Sequence, residues 1–219
     1  MRPSGFHLLV CFLLLLISSR AAPGQTPGCA GGYGIELGLG AWLQGNAGTS
    51  VTPSGARSTA KSQGVSGSLG FHHWSTEHLA VGLTASVINA EASVVATDLI
   101  VQSQTSTVSA LMLDLRYQFP LHASGSLIPY VHASGGPVFG FQASSGTAGP
   151  SASTETSLGA RVGAGVNMAF SERVVLGLRG SYLVMSGFSE PIAGRTHFNG
   201  GEVLLCIALV WGGDPVLPE

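Results

Sequence analysis

LMLDLRYQFP, residues 111–120, decides how this chain is read. Leu111, Leu113, Leu115, Tyr117 and Phe119 alternate with Met112, Asp114, Arg116 and Gln118. Successive side chains of a β-strand point to opposite faces. One face here is therefore uniformly apolar, and the other carries an acid, a base and an amide. In a water-soluble sheet the leucines would turn inward. Composition points the other way. Only 9% of the 219 residues are charged and there is a single lysine, Lys61, against about 25% charged residues in an ordinary soluble domain. A soluble protein of this size needs a charged surface, and this chain lacks the residues to build one.

The same period-two pattern recurs along the chain, and helical periodicity is nearly absent. It predicts eight strands, near 33–44, 65–74, 79–96, 105–119, 128–141, 157–170, 174–185 and 197–211. Pro129 and Pro137 fall in the fifth, where proline normally weakens a strand. The predicted connections alternate in length. Those at 45–64, 97–104, 142–156 and 186–196 are long, whereas STEH (75–78), LHASGS (121–126) and SER (171–173) are short. An up-and-down antiparallel barrel gathers the two kinds at opposite rims. Membrane barrels have short periplasmic turns and longer outer loops.

The two faces sort accordingly. In the cleanly alternating strands the bulky apolar face holds no charge. The other face holds glycine, alanine, serine and six charged residues, Glu36, Asp114, Arg116, Arg161, Arg179 and Glu202. Three acids and three bases suit an enclosed, paired network, because an unpaired buried charge is costly. A closed barrel satisfies its backbone between strands and can therefore cross lipid, and eight strands leave an interior that side chains fill. The expected fold is an all-β, eight-stranded antiparallel transmembrane barrel. Aromatic girdles mark both interfaces of such barrels. Tyr33, Trp74, Tyr117, Phe119, Phe170 and Trp211 fall near the short-turn rim, and Phe139, Phe141, Tyr182 and Phe198 near the other.

The N-terminus reads as a secretory signal: Arg2, the apolar run LLVCFLLLLI at 8–17, then small residues suited to cleavage near Ala21 or Ala22. Ten apolar residues fall short of the roughly 20 a spanning helix needs. The expected organisation is a signal peptide at 1–22, a short periplasmic leader at 23–32, the barrel at 33–212 and a tail at 213–219. The expected location is the outer membrane of a bacterium with two membranes. Without Arg2 and Arg20 the formal charge is near −4, which offers nothing to nucleic acid. Cys29 and Cys206 would remain and could pair in an oxidising compartment.

The signal, the eight strands, the succession of LDLRYQFP and IPYVHASGGPVFGF, and a last strand ending in Trp211 resemble the small outer-membrane barrels of the OmpA/OmpX/OmpW kind. The likeness covers about 33–211 and rests on pattern rather than on an invariant motif. It implies outer-membrane lipid as the surroundings and the barrel-assembly machinery as a partner during insertion. Trp211 matches the terminal aromatic by which that machinery recognises its substrates. The tail GGDPVLPE departs from the pattern by placing this aromatic eight residues from the end. Wall anchoring by a further peptidoglycan-binding domain is not implied.

No metal or cofactor is expected. His72 and His73 are adjacent and so point to opposite faces, and no glycine run precedes a helix as a phosphate loop would. His132 and Ser134 share a strand face, as a base and nucleophile would in an outer-membrane lipid-modifying hydrolase, but that face is the inward one, away from acyl chains. The expectation is a non-enzymatic outer-membrane barrel, structural or porin-like, with a polar, charge-paired interior. The alternatives are that hydrolase and a soluble periplasmic barrel binding an apolar ligand.

Overall fold

The computed structural model describes residues 30–44, 49–51, 57–60, 63–96, 99–119, 127–145, 151–171, 173–192 and 195–212. The predicted signal peptide, Cys29 and the tail 213–219 lie outside them, as do most of the leader and the turn 121–126.

The alternating segments form strands β1 (Tyr33–Gln44), β4 (Gln63–Trp74), β5 (Leu79–Ala96), β6 (Leu99–Gln118), β7 (Leu127–Ser145), β8 (Ser151–Ala169), β9 (Val174–Met185) and β10 (Gly200–Trp211). Two short strands, β2 (Thr49–Val51) and β3 (Arg57–Ala60), form a hairpin in the first long connection. Each of the eight main strands pairs antiparallel with its neighbour, and β1 closes the circle by pairing with both β4 and β10. The closing register runs from Tyr33↔Trp211 to Gln44↔Gly200. The end of the leader extends this ladder: Gly31 N–H donates to Trp74 O at 2.8 Å, and Trp74 N–H to Gly32 O at 2.9 Å.

β1, β4, β9 and β10 are 12 residues long. At about 3.3 Å per residue such a strand spans about 40 Å, and at the usual barrel tilt it rises about 28 Å, enough for the apolar band of about 25 Å. β5–β8 are longer, at 18, 20, 19 and 19 residues. Their extra length lies on the long-connection side, so the wall is taller along these four strands. The expected long connections 97–104 and 142–156 are thus corrected: β6 begins at Leu99, β7 runs to Ser145 and β8 begins at Ser151. These segments (VQSQ and QASS among them) keep β-competent threonine, valine and serine but have lost the apolar face that signals a strand. Beyond β4, the edge of β5 is taken up by β3, with Arg57↔Val95 through Ala60↔Ala92. The last strand starts at Gly200 rather than 197.

Pro129 and Pro137 are both accommodated. Pro137 has no N–H to give the ladder, and the β6–β7 pairs step from Ala110↔Val138 to Leu113↔Gly135 without a change of register. Gly136 sits in this gap, where a Cβ would lie 2.1 Å from Leu111 O.

The burial pattern fixes which way each face points. On β6, Leu111, Leu113, Leu115 and Tyr117 are exposed, Leu113 at 70%, while Met112, Asp114, Arg116 and Gln118 are buried. The outward rows of the other strands repeat this, with Ile35, Leu37 and Leu39 on β1, Leu158 and Val162 on β8, and Leu205, Ile207 and Leu209 on β10. A contiguous exposed apolar belt of this extent would be untenable in water and is what the lipid-facing wall of a membrane barrel requires. No helix among the described residues is long and apolar enough to cross a membrane.

Candidate functional site

The chemistry of this molecule lies inside the barrel, where strand parity delivers every charged side chain of the apolar-walled segment. Glu36, Asp114, Arg116, Arg161, Arg179 and Glu202 are each 2–4% exposed. They come from β1, β6, β8, β9 and β10 and meet across the lumen.

Glu36 accepts from two arginines. Arg116 Nη1 donates to its Oε2 at 2.8 Å, and Arg179 Nη1 to its Oε1 at 2.7 Å. The Arg116 guanidinium also lies over the Tyr130 ring, 4.5 Å from its centroid. Arg179 Nη2 donates to Ser68 Oγ at 2.7 Å. Asp114 is held between two histidines, with His72 Nε2 3.0 Å from Oδ2 and His132 Nδ1 3.3 Å from Oδ1. Glu202 accepts from Ser66 and, at 3.1 Å, from Ser181, while Arg161 Nη1 stands 3.6 Å away. Arg161 Nη2 donates to Ser86 Oγ at 2.8 Å. Three ion-paired groups therefore cross the lumen in a region of low dielectric, where satisfied charges rigidify and unsatisfied ones are costly.

The histidines and serines of this network carried no charge label in the sequence. Their only sequence signal is parity: His72, Ser66 and Ser68 on β4, Ser86 on β5, and His132 on β7 share their strands' inward rows. His132 and Ser134 both turn inward. His132 faces Asp114, and the Ser134 hydroxyl approaches Met112 Sδ at 3.5 Å. Cys206 is a buried free thiol. Among the described residues no group of three or more His, Cys, Asp or Glu has the geometry to hold a metal ion.

The aromatic residues divide. Tyr33, Tyr117, Phe119, Phe170 and Trp211 are 40–50% exposed and point outward near the short-turn rim. Tyr33 anchors a cluster there, 6.4 Å from Trp211, 6.0 Å from Phe71 and 4.8 Å from His73 between ring centroids. Trp74 corrects the sequence reading. It is 4% exposed and points into the lumen, because β4 keeps its parity through FHHW and carries Trp74 on the row of His72. The outward place is occupied by His73, paired with Tyr33.

The outer part of the lumen adds an apolar cluster beside the Arg161–Glu202 pair, which the sequence reading did not foresee. Trp42, Ile88, Val108, Ala110, Met112, Val138, Leu183 and Met185 from the wall form one buried cluster with Phe188, Ile192 and Phe198. The last three belong to the 186–199 connection, which folds down into the barrel mouth. Gly187, at φ 97°, turns the chain inward in a conformation open chiefly to glycine. Phe188 N–H then donates to Thr196 O at 2.8 Å, and Ile192 and Arg195 bridge each other at 2.8 and 3.0 Å. The Gln44 side chain ties the connection to β1 through His197 O at 3.2 Å and through Arg195. Asn199 Oδ1 accepts from Met185 N–H at 2.8 Å. Gly140 leaves the space: a Cβ there would stand 2.8 Å from Phe188 and 2.9 Å from Ile192. Three large apolar residues scattered through a Gly-, Pro- and Ser-rich stretch were the only hint, and they have no strand periodicity. Phe198, expected at the outer aromatic rim, is part of this stopper and fully buried.

Comparison with known proteins agrees with this architecture. The family model described as outer membrane protein beta-barrel domain matches residues 9–203. No curated protein sequence matches the chain. Among solved structures it is similar to Neisserial surface protein A, at 16% identity and TM-score 0.52, covering 84% of this chain and 97% of that one. It is also similar to the outer membrane protein OprG from Pseudomonas aeruginosa, at 12% identity and TM-score 0.54, covering 86% and 100%. Ail, the attachment invasion locus protein of Yersinia pestis, matches at 12% identity and TM-score 0.51, covering 83% and 99%. At these identities the likeness is one of fold.

Proposed function

The chain belongs to the outer membrane protein beta-barrel domain family, and from that premise we propose that it is a closed, non-enzymatic structural barrel of the outer membrane whose lumen is sealed twice. An integral outer-membrane barrel with a charge-paired interior can serve as a porin or as a rigid anchor that holds its outer strands above the bilayer. The observation that favours the anchor is the filling of both halves of the lumen. Glu36, Arg116, Arg179 and Asp114 span the half nearer the short turns, the Arg161–Glu202 pair crosses further out at the level of Trp42 and Leu183, and Phe188, Ile192 and Phe198 close the mouth nearer the long connections. A pore needs a continuous polar path, and an apolar layer in series with a paired-charge layer provides none.

The inward placement of His132 and Ser134 separates them from the lipid that a lipid-modifying hydrolase would act on. The outward leucines argue equally against a soluble barrel. Export by the 1–22 signal, recognition of Trp211 by the assembly machinery, and immersion of the leucine belt in outer-membrane lipid complete the reading.

Purified protein reconstituted in planar bilayers tests it. The wild type is expected to leave the membrane resistance of the lipid alone unchanged while showing heat-modifiable gel migration. Regular single-channel steps from folded protein would replace the anchor with a porin.

A further inference from the structure

β9 parts from β8 before β8 ends. The β8–β9 ladder closes at Gly159↔Met185, whereas β8 extends outward to Ser151, still paired with β7. One further rung is half made. Ser186 N–H donates to Leu158 O at 2.9 Å, but Leu158 N–H finds the Ser186 hydroxyl, at 3.4 Å, rather than a carbonyl. At Gly187, φ 97°, the chain then turns into the lumen. Backbone groups two residues apart on a strand point the same way. Thr156, Thr154 and Ala152 therefore direct their N–H and C=O groups to the side that Leu158 does, and among the described residues no strand lies there. All three residues are exposed. An unpaired edge of this kind is a template for a further strand.

The chain that could cover this edge is the one diverted past it. Glu190 N–H already reaches Glu155 Oε2, at 3.4 Å. Continued past Met185 without a change of register, β9 would set Ser186 against Leu158, Phe188 against Thr156 and Glu190 against Thr154, with Pro191 as its end. Parity decides where Phe188 would go. Thr156 and Leu158 lie on the outward row, Leu158 at 69% exposure, and Thr156 is paired with Phe139. Phe188 would leave the buried cluster and join Phe139 and Phe141 near the outer rim, where aromatic rings suit the membrane interface. Its burial would be exchanged for lipid contact rather than lost to water. Gly187 permits both paths. Its φ of 97° disfavours other side chains, and a Cβ there would stand 2.6 Å from the His197 ring.

We propose that residues 187–190 are a two-position strap: seated in the lumen, as in this structure, or zipped along the free edge of β8 as an extension of β9, with Phe188 on the outer surface. The seated form keeps Phe188 against Ile192 and Phe198 and closes the barrel mouth. The zipped form completes the ladder at Thr156 and Thr154 and takes one of the three large side chains out of the stopper. Lipid favours the zipped form and the apolar cluster the seated one, so the outer seal responds to its surroundings by differential contact. The charged layer takes no part, and the exchange is independent of whether the barrel conducts.

The test uses the full mature chain in lipid nanodiscs and follows amide hydrogen exchange at Thr154 and Thr156, with Val162 of the closed β8–β9 ladder as reference. In the wild type the two threonines are expected to exchange at least tenfold faster than Val162. Two variants push the strap from opposite sides. Gly187→Val disfavours the inward turn, and Gly140→Val fills the space used by Phe188 and Ile192, which a Cβ there would meet at 2.8 and 2.9 Å. Each is expected to slow exchange at Thr154 and Thr156 at least threefold. With Phe188→Trp added, each is expected to raise quenching of the indole by bromine-labelled lipid at least twofold over Phe188→Trp alone. Thr156→Pro removes an edge N–H without touching the β7 ladder, and is expected to reverse that rise. Threonines that exchange as slowly as Val162 in the wild type would overturn the assignment. So would folded variants, identified by heat-modifiable migration, whose threonines exchange as in the wild type, whose quenching does not rise, or whose quenching survives Thr156→Pro.

Discussion

The two halves of the lumen are filled by opposite means. Near the short turns the barrel wall fills itself: each strand contributes inward polar residues, and the pairs Glu36–Arg116, Glu36–Arg179 and Asp114–His72 close across the space. Near the long connections the wall residues leave a space that a returning segment occupies, with Phe188, Ile192 and Phe198 entering from 186–199. In the first half, side chains are committed by strand parity and cannot leave without unfolding the barrel. In the second, the filling is held by a handful of loop hydrogen bonds and by apolar contact, so it can open locally at much smaller cost.

Substitutions in each half should therefore differ in kind, and four of them probe the difference. Glu36→Ala is expected to be the most damaging, because it strands Arg116 and Arg179 together in the lumen; loss of one partner of a buried pair costs about 3–5 kcal/mol, to be read from urea unfolding in lipid vesicles. Leu113→Arg comes next. It puts a charge on the lipid face near mid-membrane, at a cost of about 2–4 kcal/mol, and should reduce the inserted fraction. Asp114→Asn keeps the shape but weakens both histidine contacts, costing about 1–3 kcal/mol. It should insert better than Leu113→Arg; the reverse ranking would mean that the two faces of β6 have been exchanged. Phe198→Ala should have the smallest effect on global unfolding. Its signature is local: faster proteolysis within 186–199 of protein that still migrates as a folded barrel. A loss of barrel stability as large as that of Glu36→Ala would erase the contrast between the halves.

What could be seen in the sequence follows the same division. LMLDLRYQFP gave away its orientation because each residue has one neighbour across the strand, lipid on one side and lumen on the other, so alternation carried the answer. The same rule located the six charged residues on the inner row. It broke down where the alternation has no apolar row: Gln102–Gln104 and Gln142–Ser145 are polar or small at every position, and the outer extensions of β6 and β7 read as loop. It also failed at FHHW, where two adjacent histidines hide the parity that turns Trp74 inward. The stopper was invisible for a further reason. Phe188, Ile192 and Phe198 are brought together by a reversal at Gly187 and by space at Gly140, and neither leaves a periodic trace.

Single-channel recording of three variants in planar bilayers tests the double seal most directly: Glu36→Ala/Arg116→Ala in the charged layer, Phe188→Ala/Phe198→Ala in the apolar layer, and all four substitutions together. With two seals in series, each pair alone should stay close to the silence of the wild type, and only the fourfold variant should conduct in regular steps. Steps from the wild type, or from either pair at the size seen with all four, would contradict a lumen closed twice.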